Sequence, residues 1–256
     1  IMRKQRTNTA RSNELKIFRG IAENIGLNQN LIPPIPLTGF MAMIGKSYEH
    51  DLMVVGRAVN GWSSGWCPQA LNEVQYINVF VKEVFESVTK GNPCPMCWVS
   101  DCWGNYDQDY NTKKSAFWRV IRQVVSELKI SDIENPSWPS RLVWSNLYKI
   151  APAAGLNPSA TLCNLQFNGC KDLLIEEIKT YKPKRLLFLT GGWVNDFLTD
   201  FSHNIKSVGG NNYVEQIGNM KFNHGTETAV VIVAHPQGKK ETILVQEVVK
   251  AFDNLL

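Results

Sequence analysis

Residues 51–62, DLMVVGRAVNGW, decide the fold. Four apolar residues, Leu52 to Val55, run directly into Gly56 and a polar turn. A parallel strand buried on both faces reads this way when its carboxyl end opens onto a site. The same shape returns three times, in RLVWSNLYK (Arg141 to Lys149), RLLFLTGGW (Arg185 to Trp193) and AVVIVAHPQG (Ala229 to Gly238). Each is a short apolar run followed at once by Asn, Gly-Gly or His-Pro. Strands separated by helical segments imply βαβ units with right-handed crossovers, hence helices on both faces of the sheet. The expected fold is a three-layer α/β/α domain around a central, mostly parallel, four-stranded sheet. Ligands in such sheets bind outside the carboxyl ends of the strands, so the four ends are expected to converge on one crevice.

The segments between the runs support this outline. Apolar residues recur at helical spacing over Asn13 to Ile25, which Gly26 closes, and over Ala70 to Lys90. They do so again over Lys114 to Lys129, where Ser115 is available as a cap, over the stretch holding Leu173, Leu174, Ile178 and Tyr181, and over Glu241 to Phe252. A short helix is expected after Gly191-Gly192. The stretch LIPPIPLTGF carries Pro33, Pro34 and Pro36 and is expected to wrap extended across the surface. IAPAAGLNPSA reads as a loop, and Gly218-Asn219 as the turn of a hairpin. Residues 1–12, IMRKQRTNTARS, read as an unanchored basic arm. Residues from about 91 to 111 lack any period and read as a cysteine-rich insertion.

At 256 residues and 44% apolar content the chain can bury a full core, and a single domain over 1–256 is expected. The 27 Lys and Arg against 23 Asp and Glu leave +4, which permits contact with phosphates without requiring it. No apolar run is long enough to span a bilayer, and the N-terminal stretch lacks the apolar core of a signal peptide. The expectation is a soluble cytoplasmic protein, monomeric and without a membrane partner. Six cysteines are too few for a disulfide scaffold and would be thiols or metal ligands.

Four motifs carry a resemblance. GRAVNGW, VWSNLYKIAP, YKPKRLLFLTGG and VAHPQG resemble, in order, the motifs of the uracil-DNA glycosylase superfamily, and they cover the chain from about residue 50 onward. The resemblance implies that fold and the hydrolysis of the N-glycosidic bond of a uracil-type base in DNA. It places the base pocket at Gly56 and Ala58 and the base-reading amide at Asn146. An amide suits that work, since its carbonyl accepts from an imide N–H while its NH₂ donates to an exocyclic oxygen; the other reading of Asn146 is a cap on the following turn. His235 matches the histidine that stabilises charge developing on the leaving base. Gly191 and Gly192 match a turn whose backbone N–H groups hold a phosphate, or else allow close helix packing. Trp62 and Trp66 either stack on a flipped base or close a small satellite core. Gln237, Lys239 and Lys240 replace the family's usual continuation after His-Pro and are candidates for contact with the DNA backbone.

The chain also departs from the family. Its first motif runs Gly56, Arg57, Ala58, Val59, Asn60 and holds no carboxylate to position water. Arg57 stands where the iron-sulfur branch has an acid, and Val59 replaces a proline, so the catalytic candidates are His235, Arg57 and Asn60. Cys170 aligns with the last cluster ligand of that branch, but Ile150 occupies another ligand position, and the cluster does not carry over. No cofactor is required on this reading. Cys94, Cys97 and Cys102, spaced C-x2-C-x4-C, with Cys67 as a fourth ligand, are the less favoured site for zinc or an iron-sulfur cluster. The rival functional reading is a non-catalytic protein that binds nucleic acid or a nucleotide on the same fold.

Overall fold

The fold is described from a computed structural model, which covers residues 2–91, 94–108, 110–210, 212–222 and 227–256, with side chains from residue 11 onward apart from 202 and 203. In chain order the regular elements are α1 (Met2–Leu27), β1 (Leu37–Gly39), β2 (Met43–Ile44), β3 (Leu52–Ala58), α2 (Val74–Thr89), α3 (Trp98–Asp101), α4 (Ala116–Glu127), β4 (Leu142–Tyr148), β5 (Ile150–Pro152), α5 (Ala160–Tyr181), β6 (Arg185–Phe188), β7 (Ile205–Ser207), β8 (Val214–Lys221), β9 (Glu227–Val233) and α6 (Glu241–Asp253). The chain forms two compact units, each assembled from separated segments. One comprises the chain up to Ala42, Arg57–Thr89 and Ser145–Tyr181; the other comprises Met43–Gly56, Lys90–Trp144 and Lys182–Leu256.

The second unit contains most of a mixed α/β sheet. Its order is β2-β4-β3-β6-β9-β8-β7, seven strands where four were expected. The four apolar runs of the sequence form its centre, β4-β3-β6-β9. β3 pairs parallel with β6, Leu52 opposite Arg185 and Val55 opposite Phe188, and β6 pairs parallel with β9, Arg185 opposite Ala229. Leu52 to Val55, Leu186 to Phe188 and Ala229 to Val233 are almost wholly buried, as continuous apolar strands must be. The outer strands are antiparallel: β2 on β4, β8 on β9 and β7 on β8. They escaped the reading because β2 is two residues long and β8 mixes polar and apolar residues as a half-buried strand does.

Gly218 and Asn219, expected in a hairpin turn, lie inside β8. A Cβ on Gly218 would fall 2.0 Å from the Asn204 carbonyl oxygen, so this glycine admits a close backbone approach from β7. Within the same unit α6 packs on β8, β9 and α4. Arg119 on α4 donates from Nε to both carboxylate oxygens of Glu241, at 3.1 and 3.0 Å, and so joins the two helices at the start of α6. Ser115 occupies the N-cap position of α4, but its side chain makes no capping bond.

The insertion is folded rather than irregular. It contains a 3₁₀ turn at Pro95–Cys97 and the single turn of α3. Met96 and Val99 are fully buried, and Thr112 Oγ1 donates to the Val99 carbonyl at 2.7 Å. Trp98 meets Trp118 edge-on with centroids 5.5 Å apart, and Trp118 meets Trp144 at 5.1 Å, which ties the insertion to α4 and β4.

The first unit packs α1 against α2 and α5. Two expectations change here. Leu37 to Gly39, expected on the surface, is the buried strand β1, and it pairs antiparallel with β5, inside the stretch expected to be a loop. The prolines at 33 and 34 are exposed, but Leu37, Thr38 and Phe40 behind them are buried and Trp66 pairs with Leu37 through two backbone bonds of 2.7 and 2.8 Å. The basic arm is also different, since the backbone is helical from Met2. Arg11, within it, is held: its guanidinium donates to the Ala42 carbonyl and to Glu14 at 3.1 Å and lies over the Phe85 and Tyr181 rings. An arginine covered by two rings and two acceptors is anchored, while the side chains of residues 1–10 lie outside the described ones.

Gly26, expected as a helix stop, is still within α1, and it serves packing. A Cβ there would sit 1.8 Å from the Leu71 carbonyl oxygen. Gly26→Ala is therefore expected to lower the unfolding free energy by about 3 kcal/mol through overpacking, seen as a lower urea midpoint at an unchanged slope.

Candidate functional site

The sequence candidates fall in both units. Arg57, Ala58, Asn60, Trp62, Trp66 and Asn146 belong to the first; Gly56, Gly191, Gly192, His235, Gln237, Lys239 and Lys240 belong to the second.

In the first unit, the carboxyl end of β3 carries half-buried Arg57 and Ala58, then buried Val59. Asn60 follows in the turn, and its Oδ1 accepts from the Leu156 backbone N–H at 3.0 Å. This bond joins two loops, the one after β3 and the one after β5. Gly61, at φ +64, and Gly155, at φ +88, give the backbone of these loops its left-handed steps. A Cβ on Gly155 would stand 2.6 Å from Asn60 Oδ1, so glycine is required for the amide to reach. Asn60 is thereby a loop clamp, whichever chemical role it also has.

The tryptophans are tied to α2. Trp62 Nε1 donates to Ser87 Oγ at 3.0 Å, and its ring meets Phe40 edge-on at 5.3 Å. Trp66 Nε1 donates to Glu83 Oε2 at 2.8 Å, with its ring 5.9 Å from that of Phe80. Both half-buried indoles thus pack into a small aromatic core under the loop.

Asn146 lies within β4, 2% exposed, and not at its end. A position inside a strand rules out the turn cap. Its Nδ2 is buried and has no hydrogen-bond partner among the described residues. Leaving such a donor bare costs about 1–3 kcal/mol, and in a folded protein that cost marks either strain or a place kept for a ligand or water.

Next to Asn146 in the sequence, Ser145 and Lys149 belong to a group of charges that sequence reasoning missed. Lys149 and Glu177 are fully buried. Lys149 Nζ donates to both Glu177 oxygens, at 2.9 and 2.8 Å, and to Ser145 Oγ at 2.7 Å. Gln166 on α5 accepts from the Lys149 and Ile150 backbone N–H groups and donates to the Ile150 carbonyl at 2.7 Å, fixing the link from β4 to β5. A signal was present: Gln166 and Glu177 stand eleven residues apart, about three helical turns, so both face one side of α5.

In the second unit, His235 is half-buried just after β9. Its Nδ1 accepts from the Gln237 backbone N–H at 3.3 Å. An accepting Nδ1 puts the ring proton of a neutral imidazole on Nε2, which makes that nitrogen a donor. Lys239 holds its ammonium 5.8 Å from the centre of the Tyr213 ring, and the Lys240 N–H donates to Tyr213 Oη at 3.4 Å. Both lysines are exposed, as is Gln237. Gly191, at φ +60, opens a 3₁₀ segment, Gly191–Asn204, that is broken at Leu198. This segment is the helix expected there, in 3₁₀ form.

Of the four cysteine candidates, Cys67 belongs to the first unit and Cys94, Cys97 and Cys102 to the second. Among the described residues no group of three or more His, Cys, Asp and Glu is placed to hold an ion. Cys67 is exposed and donates to Gln69 Oε1. Cys94 and Cys97 are buried with their sulfurs 3.3 Å apart. Burial, and then the bond to Cys94, pushes the Cys97 thiol up to about 12, so it is protonated at neutral pH.

The residue the sequence offered no reason to single out is Leu156. It has φ +84, 80% of its surface is exposed, and Asn60 holds its N–H. A non-glycine residue in the left-handed region costs about 1–2 kcal/mol. Leu156→Gly is expected to raise stability by about 1 kcal/mol, and Asn60→Ala to lower it by about 1 kcal/mol through loss of the clamp. Urea unfolding of the two variants measures both signs.

No protein-family model matches the chain, and no curated protein matches it.

Proposed function

We propose that the protein is a uracil-DNA glycosylase-like enzyme on a three-layer α/β/α fold of that superfamily, acting on a uracil-type base in DNA. The observation that carries this reading is the bare, buried Nδ2 of Asn146. A donor of this kind suits an exocyclic carbonyl oxygen of an extruded base, and the amide's own carbonyl suits the adjacent imide N–H. The central strand order β4-β3-β6-β9 supports the fold assignment, since the four motifs of the resemblance occupy those strands and their ends.

The chemistry follows from residue types. Water attacks the sugar carbon, the bond from that carbon to the base nitrogen breaks with its electron pair on the base, and the base leaves as an anion that takes up the proton released. A donor stronger toward the anion than toward the neutral base lowers the barrier, and the His235 Nε2–H is such a donor. Arg57 adds a cation in place of the missing acid, so orientation of water falls to other groups. Lys239 and Lys240 serve the phosphate backbone. The second reading, a binding protein without turnover, is favoured by the absence of any carboxylate in the run Gly56 to Asn60.

Single-turnover cleavage of single- and double-stranded uracil-containing DNA separates the two. On the enzymatic reading His235→Ala slows cleavage about a hundredfold while DNA affinity is retained. Asn146→Asp changes which base is accepted, because a carboxylate has no N–H to donate. DNA binding without cleavage of any damaged base by the unaltered protein selects the second reading.

Salt dependence tests the lysines. If both contact phosphates, the Lys239→Ala/Lys240→Ala protein binds duplex DNA with a log–log salt slope shallower by about 2. An unchanged slope removes this loop from the interface.

A further inference from the structure

Glu14 on α1 is fully buried, yet it belongs to none of the chemistry above. Three elements surround it. α5 supplies Tyr181, whose hydroxyl donates to Glu14 Oε2 at 3.0 Å, and Glu177. The link from β4 to β5 supplies Lys149. α1 itself supplies Arg11, which reaches Oε2 at 3.1 Å through one nitrogen.

The neighbouring charges are already committed. Lys149 directs all three of its protons to Glu177 and Ser145. Ser145 Oγ in turn donates to Glu177 Oε2 at 2.7 Å, and the Ala42 N–H donates to Oε1 at 3.1 Å. Glu177 is therefore satisfied as a carboxylate, and it repels a second negative charge nearby. Arg11 divides Nη1 between Glu14 and the Ala42 carbonyl. Glu14 Oε1 and Arg11 Nη2 are both buried without a hydrogen-bond partner among the described residues. An ionised Glu14 thus has one oxygen bare of donors, removed from water, beside another carboxylate.

We propose that Glu14 is a proton-operated latch: it seats α1 on α5 when its carboxyl is protonated and weakens that seat when the proton is lost. Burial, against the opposing pull of Arg11, raises the Glu14 carboxyl from its ordinary 4.5 to about 7. A group raised on folding contributes its full stabilisation below 4.5 and loses it as pH rises toward 7. The window lies within the range a cell experiences. The latch is independent of the glycosylase reading and would operate under either function.

Hydrogen exchange in the full chain, expressed as protection factors, reads the latch directly. Between about pH 5 and pH 7, protection of the α1 amides from Ile17 to Ile25 is expected to fall by up to about tenfold per pH unit, and to level off above pH 7. Amides of α6 keep theirs. In Glu14→Gln, which holds a neutral side chain at every pH, the α1 factors are expected to be flat. Unchanging α1 factors in the unaltered protein, or the same slope in the variant, would overturn the proposal. Carboxyl-carbon NMR of the unaltered protein gives an answer even if the variant does not fold: a Glu14 midpoint near 7 supports the latch, and one near 4.5 ends it.

Discussion

A lysine sealed from water must keep its counter-ion, and the first unit is arranged around that requirement. Removing one partner of a buried pair typically costs about 3–5 kcal/mol, because the remaining charge has nowhere to go. Lys149 meets the demand with Glu177 and Ser145, and this fixes how α5 faces the end of β4. Glu177 extends the set to the backbone of Ala42, just after β1. Gln166, three turns earlier on the same helix, holds the backbone where β4 passes into β5. The strand that carries Asn146 is thus held by polar bonds from a helix as well as by its sheet neighbours.

How far the sequence was legible follows from what each segment buries. Continuous apolar runs such as Leu52 to Val55 announced the central strands, because only a strand covered on both faces tolerates that composition. The antiparallel outer strands were missed for the opposite reason: Val214–Lys221 sets three apolar residues among four polar ones and a glycine, which imitates a turn. Leu37–Gly39 was lost behind three prolines, whose influence ends one residue earlier. The charge cluster left only the shared face of Gln166 and Glu177 on α5 as a trace, because Glu14, Lys149 and Glu177 each look like ordinary surface residues until tertiary contact brings them into one interior.

The candidate site shows the same division. Asn146 was singled out from its motif, and the structure places it inside β4. Residues whose role is to hold loops required coordinates. Asn60 acts on a loop nearly a hundred residues away in sequence, and Leu156 is remarkable chiefly for its backbone angle. The tryptophans, attractive as stacking faces, spend their indole N–H groups on α2. Loop aromatics so anchored give the loop after β3 a rigid base, which suits recognition of a ligand by fixed groups.

The pairing of β3 with β6, and of β6 with β9, bears on how the molecule comes into being. Leu52 is made well before its partner Arg185 and the flanking Ala229. Until then β3 presents an apolar strand with an unsatisfied edge, the kind of surface that associates with other nascent chains. Such distant pairing also makes for slow closure. The chain therefore has a period of vulnerability between the ribosome and the finished sheet, and its yield in cells should depend on holding chaperones more than its final stability would suggest.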